Sequence, residues 1–219
     1  MFVKVGFAVE NIGLIHYAIG FMVGFIFGSI PTGLWITKAL HGIDIREYGS
    51  KNIGTTNVFR TVGAKTAVMV LLADMLKGIV VVFVLKWYMN SDLLIVAAAM
   101  GAILGHNYSL FLGFKGGKGA ATGMGLLIYL LPKTSLCCFL IAAFCILTTR
   151  YVSLGSIMAS FFAPILTWYF GYPTPYVVLA LLGGGFIIIR HKSNIERLLS
   201  GTENKIKQGH AEDLEKNKK

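Results

Sequence analysis

The residues best equipped for chemistry lie in four short segments set between long apolar runs. The first is YGSKNIGTTNVFRTVG at 48–63, with three glycines, two asparagines, a serine, three threonines and the cations Lys51 and Arg60, and no acid. Gly49, Gly54 and Gly63 let the backbone approach a ligand closely. Ser50, Asn52, Thr56 and Asn57 offer side-chain donors beside free backbone N–H groups, and Arg60 brings a planar fork suited to phosphate oxygens. Donors, glycines and a fixed cation together suit an oxyanion. The competing reading is a solvated loop whose Asn and Thr side chains make turns and caps. The density of donors and the lack of acids past Glu47 favour the anion site.

The second segment, FKGGKGAATG at 114–123, sets Lys115 and Lys118 among glycines, Gly117 included, just before an apolar helix. Its N–H groups and the helix dipole suit an anion. It is not a nucleotide-binding P-loop, because Gly119 rather than Ser or Thr follows Lys118. A membrane-flanking lysine pair in a turn is the plainer alternative. The third segment is TRYVSLGS at 149–156, ending on Ser156. In the fourth, RHKSNIERLLSG at 190–201, His191 and Asn194 would share one face of a helix.

Asp44, Glu47 and Asp74 are the only carboxylates read near this site before the tail, and no pair suggests glycosidase chemistry. Neither a Gly-x-Ser-x-Gly elbow nor an HExxH zinc motif occurs. An enzyme built from these parts would position anions, neutralise charge and draw on an activated substrate. Asp74 and Lys77, one turn apart inside an apolar run, either pair to support the site or touch substrate.

These segments need elements to position them, and composition says what kind. Of 219 residues, 55% are hydrophobic and 14% charged, too few polar groups for the shell of a soluble domain. The fold expected is all-α: a polytopic membrane protein with spans near 12–38, 66–86, 93–112, 119–131, 134–149, 153–170 and 174–190. Pro31, in GSIPTG, should break the first. Cys137, Cys138 and Cys145 fall in one apolar run without metal-ligand company and read as small hydrophobes. The N-terminus lacks the basic region, apolar core and cleavage site of a signal peptide.

Seven spans put the termini on opposite sides. Sixteen of the twenty Lys and Arg fall in the loops around 39–65 and 113–118, at 150, in the tail, and at Lys38. The positive-inside rule then gives N-terminus out and C-terminus in, with all four segments on the cytoplasmic face. The net charge of +10 thus marks a membrane face and not a nucleic-acid groove.

In this order, GSIPTG, DIREYGSKNIGTTNVFRTVG, DMLKG, GHNYSLFLGFKGGKGAAT and RHKSNIERLLSG closely resemble the PlsY family of bacterial integral-membrane acyltransferases, from about residue 24 to 205. The resemblance implies acyl transfer from acyl phosphate to the 1-hydroxyl of glycerol 3-phosphate, giving lysophosphatidic acid and phosphate, the first step of phospholipid synthesis. It also implies a seven-helix fold in the bacterial inner membrane, with no cofactor or metal and a functional link to the enzyme that makes acyl phosphate. By the family pattern, Ser50, Asn52, Gly54, Thr56, Asn57 and Arg60 bind phosphate. Lys118, Ser156, His191 and Asn194 complete the site. Lys51 stands where the pattern has Gly, and Ser109 where it has Pro. Residues 1–205 form the expected membrane domain, and the charged tail at 206–219 is expected to be disordered.

An anion transporter is the main alternative, but no internal two-fold repeat is evident. An acyl-CoA enzyme would commonly carry His-x4-Asp, which no histidine here supplies. A membrane scaffold would not need loops so rich in donors.

Overall fold

The longest apolar runs become the longest helices. A computed structural model describes residues 13–89 and 91–207, so the reading of the N-terminus and most of the tail lies outside the described residues. The helices are α1 (Leu14–Ser29), α2 (Thr32–His41), α3 (Thr55–Val62), α4 (Ala64–Tyr88), α5 (Asp92–Asn107), α6 (Ala120–Leu130), α7 (Pro132–Thr149), α8 (Val152–Tyr169), α9 (Thr174–Arg190) and α10 (Lys192–Leu199). Short 3₁₀ turns occupy Ile45–Glu47 and Leu110–Leu112. No strand occurs among the described residues.

Each expected span contains helix, the first as α1 and α2, and the third as α5, which stops at Asn107. Five helical segments are long and apolar enough to cross a membrane, and a sixth arises if α9 and α10, bent by 60°, count together. The 25 residues of α4 reach roughly 37 Å at 1.5 Å per residue. The 11 residues of α6 reach only about 16 Å, short of a hydrocarbon core. The break at Pro31 appears as expected, with α1 ending on Ser29 and α2 starting at Thr32.

Small residues decide how closely α1 and α5 pack. A Cβ on Gly24 would stand 2.0 Å from the Ala98 carbonyl, and one on Gly28 would stand 2.2 Å from that of Ala102. Gly101 and Gly105 of α5 meet the carbonyls of Phe21 and Phe25 in the same way, at 2.1 Å each. Two small-residue stripes thus let the backbones touch, the packing membranes favour because lipid offers no hydrophobic drive between helices. Large apolar side chains such as Phe144, Leu147 and Trp168 face outward instead, as they do where lipid is the solvent.

The segment at 48–63 is not one loop. Gly54 starts α3, whose Val58 and Val62 are buried with Leu34, Ile43, Ile45, Ile53, Ala67 and Val70. Beyond α9 the chain turns at His191 into α10, placing Asn194 one turn after His191, with the Asn194 N–H on the His191 carbonyl at 2.8 Å.

Candidate active site

Asn57 holds the first segment together. Its amide nitrogen donates to the carbonyls of Ile45, Tyr48 and Asn52 at 3.2, 3.0 and 2.8 Å, and its oxygen accepts the Ser50 N–H at 2.8 Å. Asn57 is buried, and this one side chain closes the loop on itself. The Asn52 side-chain oxygen accepts the Gly54 N–H at 2.9 Å, a local turn that leads into α3. Ser50 and Lys51 stand exposed on the loop, and Thr56 is half-buried in the first turn of α3. Lys51 has φ 57°, in the left-handed region that glycine adopts without strain.

Arg60 leaves α3 half-buried and donates through Nη2 to the Asn204 carbonyl at 2.6 Å, while its Nε is buried without a partner. Burial, foremost, pulls its pKa below the usual guanidinium value; Glu203 opposes this and Arg197 adds to it.

The glycine segment is held from beneath by the end of α5. The Gly116 N–H donates to the Asn107 carbonyl at 3.2 Å, and that of Gly117 to the His106 carbonyl at 2.9 Å. Arg190 grips the Gly117 carbonyl through Nε and Nη2 at 3.3 and 3.2 Å. With Gly117 fixed on both sides, Lys118 extends to donate to the Asn194 side-chain oxygen. Burial, then the neighbouring Arg197, lower the Lys118 pKa to about 8, with Glu203 opposing the shift.

His191 is buried, and its Nδ1 lies 2.7 Å from the Ile187 carbonyl. A carbonyl only accepts, so Nδ1 carries the hydrogen and Nε2 of the neutral ring presents a lone pair. Ser156 bonds within its own helix, to the Val152 carbonyl at 3.1 Å. It also lines an apolar cavity of about 100 Å³, open on one side and walled by Gly123, Ala159, Ala163, Ala180 and Gly184. Ala120 and Ile187, near Lys118 and His191, line it too.

The structure therefore gathers Arg60, Lys118, His191 and Asn194, from three distant segments, at one place. The residue that ties them is one that sequence reasoning misses. Glu203 is buried and accepts from Asn194 Nδ2 at 2.7 Å, Ser153 Oγ at 2.8 Å and Arg197 Nε at 2.7 Å. Burial pushes its carboxyl up, but hydrogen bonds from Asn194, Ser153 and Arg197 outweigh that and hold it below the usual range. Asp44, Glu47 and Asp74 are thus not the only acids that matter. The available signal is an acid in GTENK so soon after RHKSNIERLLSG, which composition alone does not set apart from the charged tail that follows it. Arg190 and Arg197 lie within that fourth segment, where nothing in the sequence shows what they touch. No cluster of His, Cys, Asp and Glu fit to hold a metal occurs among the described residues.

In this helical membrane protein Arg60, Lys118 and Arg197 thus surround one buried carboxylate, Glu203, beside an apolar cavity. A family model described as glycerol-3-phosphate acyltransferase matches residues 18–201, and the chain belongs to that family. It is 45% identical over 185 residues to the glycerol-3-phosphate acyltransferase of Synechococcus sp. (strain JA-3-3Ab), covering 84% of this chain and 91% of the relative. The enzyme of that name from Fusobacterium nucleatum subsp. nucleatum is also 45% identical, over 187 residues that cover 84% of this chain and 94% of the relative. The crystal structure of PlsY, an integral membrane glycerol 3-phosphate acyltransferase, in its glycerol 3-phosphate form superposes with a TM-score of 0.81 at 38% identity, covering 87% of this chain and 96% of that one. Its lysophosphatidic acid form gives a TM-score of 0.79 at 38% identity, covering 86% and 94%. The chain is thus an integral membrane acyltransferase.

Proposed function

We propose that this protein moves a fatty acyl group from acyl phosphate to the 1-hydroxyl of glycerol 3-phosphate, releasing lysophosphatidic acid and inorganic phosphate at the start of phospholipid synthesis. The observation that carries the reading is the junction of the cationic cluster with the apolar cavity, which matches an acyl chain joined to a phosphate. An acyl phosphate is a mixed anhydride, so its carbonyl is electrophilic and phosphate leaves readily. What remains for the protein is positioning and charge neutralisation.

Arg60, Lys118 and Ser156 hold the phosphate of glycerol 3-phosphate. An arriving phosphate replaces the Asn204 carbonyl on Arg60 and the Asn194 oxygen on Lys118. The 48–63 segment, through Ser50, Asn52, Gly54, Thr56 and the turn built by Asn57, takes the phosphate of the donor together with Lys118. Gly117 fixes the backbone from which Lys118 extends. His191 and Asn194 orient the hydroxyls. The 1-hydroxyl oxygen bonds to the acyl carbon, the carbon–oxygen bond to phosphate breaks, and the hydroxyl proton passes to His191 Nε2 or to a substrate phosphate oxygen.

The clustering of basic residues on one side supports an active site facing the cytoplasm from a bacterial inner membrane, with the N-terminus outside. The donor would come from the enzyme that makes acyl phosphate. Purified protein given labelled glycerol 3-phosphate with acyl phosphate should form lysophosphatidic acid. Product formed only with acyl-CoA would refute the donor, and near-normal turnover by folded Lys118→Ala protein would refute the role of that lysine.

A further inference from the structure

Three buried ionisable side chains have no part in the reaction above: Asp74 and Lys77 of α4, and His106 of α5. Lys77 Nζ has three hydrogens, and the structure supplies an acceptor for each. They are the Ile30 carbonyl at 2.9 Å, Asp74 Oδ1 at 2.8 Å and His106 Nδ1 at 2.9 Å. Asp74 Oδ1 also accepts from Thr32 Oγ1 at 2.6 Å. Ile30 and Thr32 flank Pro31, so the network starts at the break between α1 and α2, where the Ile30 carbonyl takes Lys77 beside the Thr32 N–H at 3.0 Å.

The other end of the network is the glycine segment. His106 Nδ1 lies 2.9 Å from Lys77 Nζ and 3.4 Å from Asp74 Oδ1; with the nearer lysine donating to Nδ1, the ring hydrogen of neutral His106 sits on Nε2. That nitrogen packs against Gly117 so closely that a Cβ there would stand 2.1 Å from it. The same histidine accepts the Gly117 N–H on its carbonyl. Lys118 is the next residue. An ion pair at i,i+3 accounts for the charges of Asp74 and Lys77. It does not account for the bond from Lys77 to a ring whose far edge is the floor of the glycine segment.

We propose that Lys77 is a positioning residue for the glycine segment. It fixes the tautomer and orientation of His106, the ring seats Gly117, and Gly117 sets where Lys118 meets phosphate. The inference rests on the proposed function only in naming glycerol 3-phosphate as the anion received.

The test compares wild type with Lys77→Met and with the double variant Asp74→Asn/Lys77→Met, measuring kcat, KM for glycerol 3-phosphate and thermal unfolding in detergent. Lys77→Met alone strands a buried carboxylate and should lose both stability and activity. The double variant is neutral again but leaves His106 Nδ1 without its lysine donor. It should unfold near the wild-type temperature, raise KM for glycerol 3-phosphate and lower kcat/KM about tenfold or more, the signature of a displaced Lys118 in a folded protein. A folded double variant with wild-type KM overturns the proposal. So does one that cannot be recovered folded, which would assign the network to stability alone. Calorimetric titration with inorganic phosphate separates this from the proposed reaction. If wild type turns over no acyl phosphate, a weakened phosphate affinity in the double variant still supports the positioning role, and an unchanged affinity overturns it.

Discussion

The two glycine-rich basic segments look alike in composition and are held in opposite ways. The 48–63 segment is closed by its own Asn57, whose partners lie within twelve residues. The 114–119 segment has no such internal clasp. It hangs on His106 and Asn107 at the end of α5 and on Arg190 at the end of α9. A self-closed loop can keep its shape when neighbours shift, whereas a hung loop copies every movement of the helices that carry it. The first suits a preformed anion cradle, and the second suits a lysine whose place is set from several directions.

The largest expected effect breaks the hung loop. Gly117→Ala drives a Cβ into the His106 ring, and the loop must move to relieve the clash. Displacement of about 1 Å can cost roughly 10²-fold in rate, so kcat/KM should fall by about that much while the helices stay folded by circular dichroism. Asn57→Ala attacks the other loop from within: the Asn52 carbonyl and the Ser50 N–H lose their partner, while the Ile45 and Tyr48 carbonyls keep only the backbone N–H groups of Tyr48 and Lys51. Stranding buried polar groups costs about 1–3 kcal/mol each. The variant should unfold at lower temperature and become sensitive to proteolysis at 48–54, with no matching change at 114–119.

A smaller effect concerns the charge on the hung loop. Lys118, with its pKa lowered to about 8, is protonated at neutral pH and loses its charge as pH rises through that value. If the cation binds phosphate, kcat/KM falls on the alkaline side of about pH 8, and Lys118→Arg, with its permanently charged side chain, moves that limb to higher pH. An unchanged limb in Lys118→Arg would detach the profile from this residue. The smallest effect is that of Lys51→Gly. Glycine relieves a left-handed conformation costing roughly 1–2 kcal/mol but adds unfolded-chain entropy worth about 0.4–1 kcal/mol. The unfolding temperature should rise slightly, and activity should stay within about twofold, as expected for an exposed side chain outside the cluster.

The same contrast explains how much of the molecule is legible in its sequence. Apolar length locates the helices, and Pro31 locates the break, because both act over a few residues of chain. The self-closed segment stands out from its composition, rich in glycines and side-chain donors. Its last half is nonetheless α3, whose Val58 and Val62 need distant apolar partners before so short a polar run becomes a helix. Glu203 escapes notice because nothing near it in sequence distinguishes an acid that joins Ser153, Asn194 and Arg197 from any acid in a charged tail. Asp74 and Lys77 are visible as a pair, but His106 and the Ile30 carbonyl are not visible as their partners.

By itself, then, the sequence determined a helical membrane protein, the positions of its helices and break, and the residue types proposed to bind phosphate, since hydropathy, proline geometry and local motifs depend on near neighbours. Only the tertiary structure decided which of those residues meet. Arg60 reaches the Asn204 carbonyl across 144 positions, and Lys118 reaches Asn194 across 76. Contacts at that separation exist only once the helices that carry these residues have packed and brought their ends to one face.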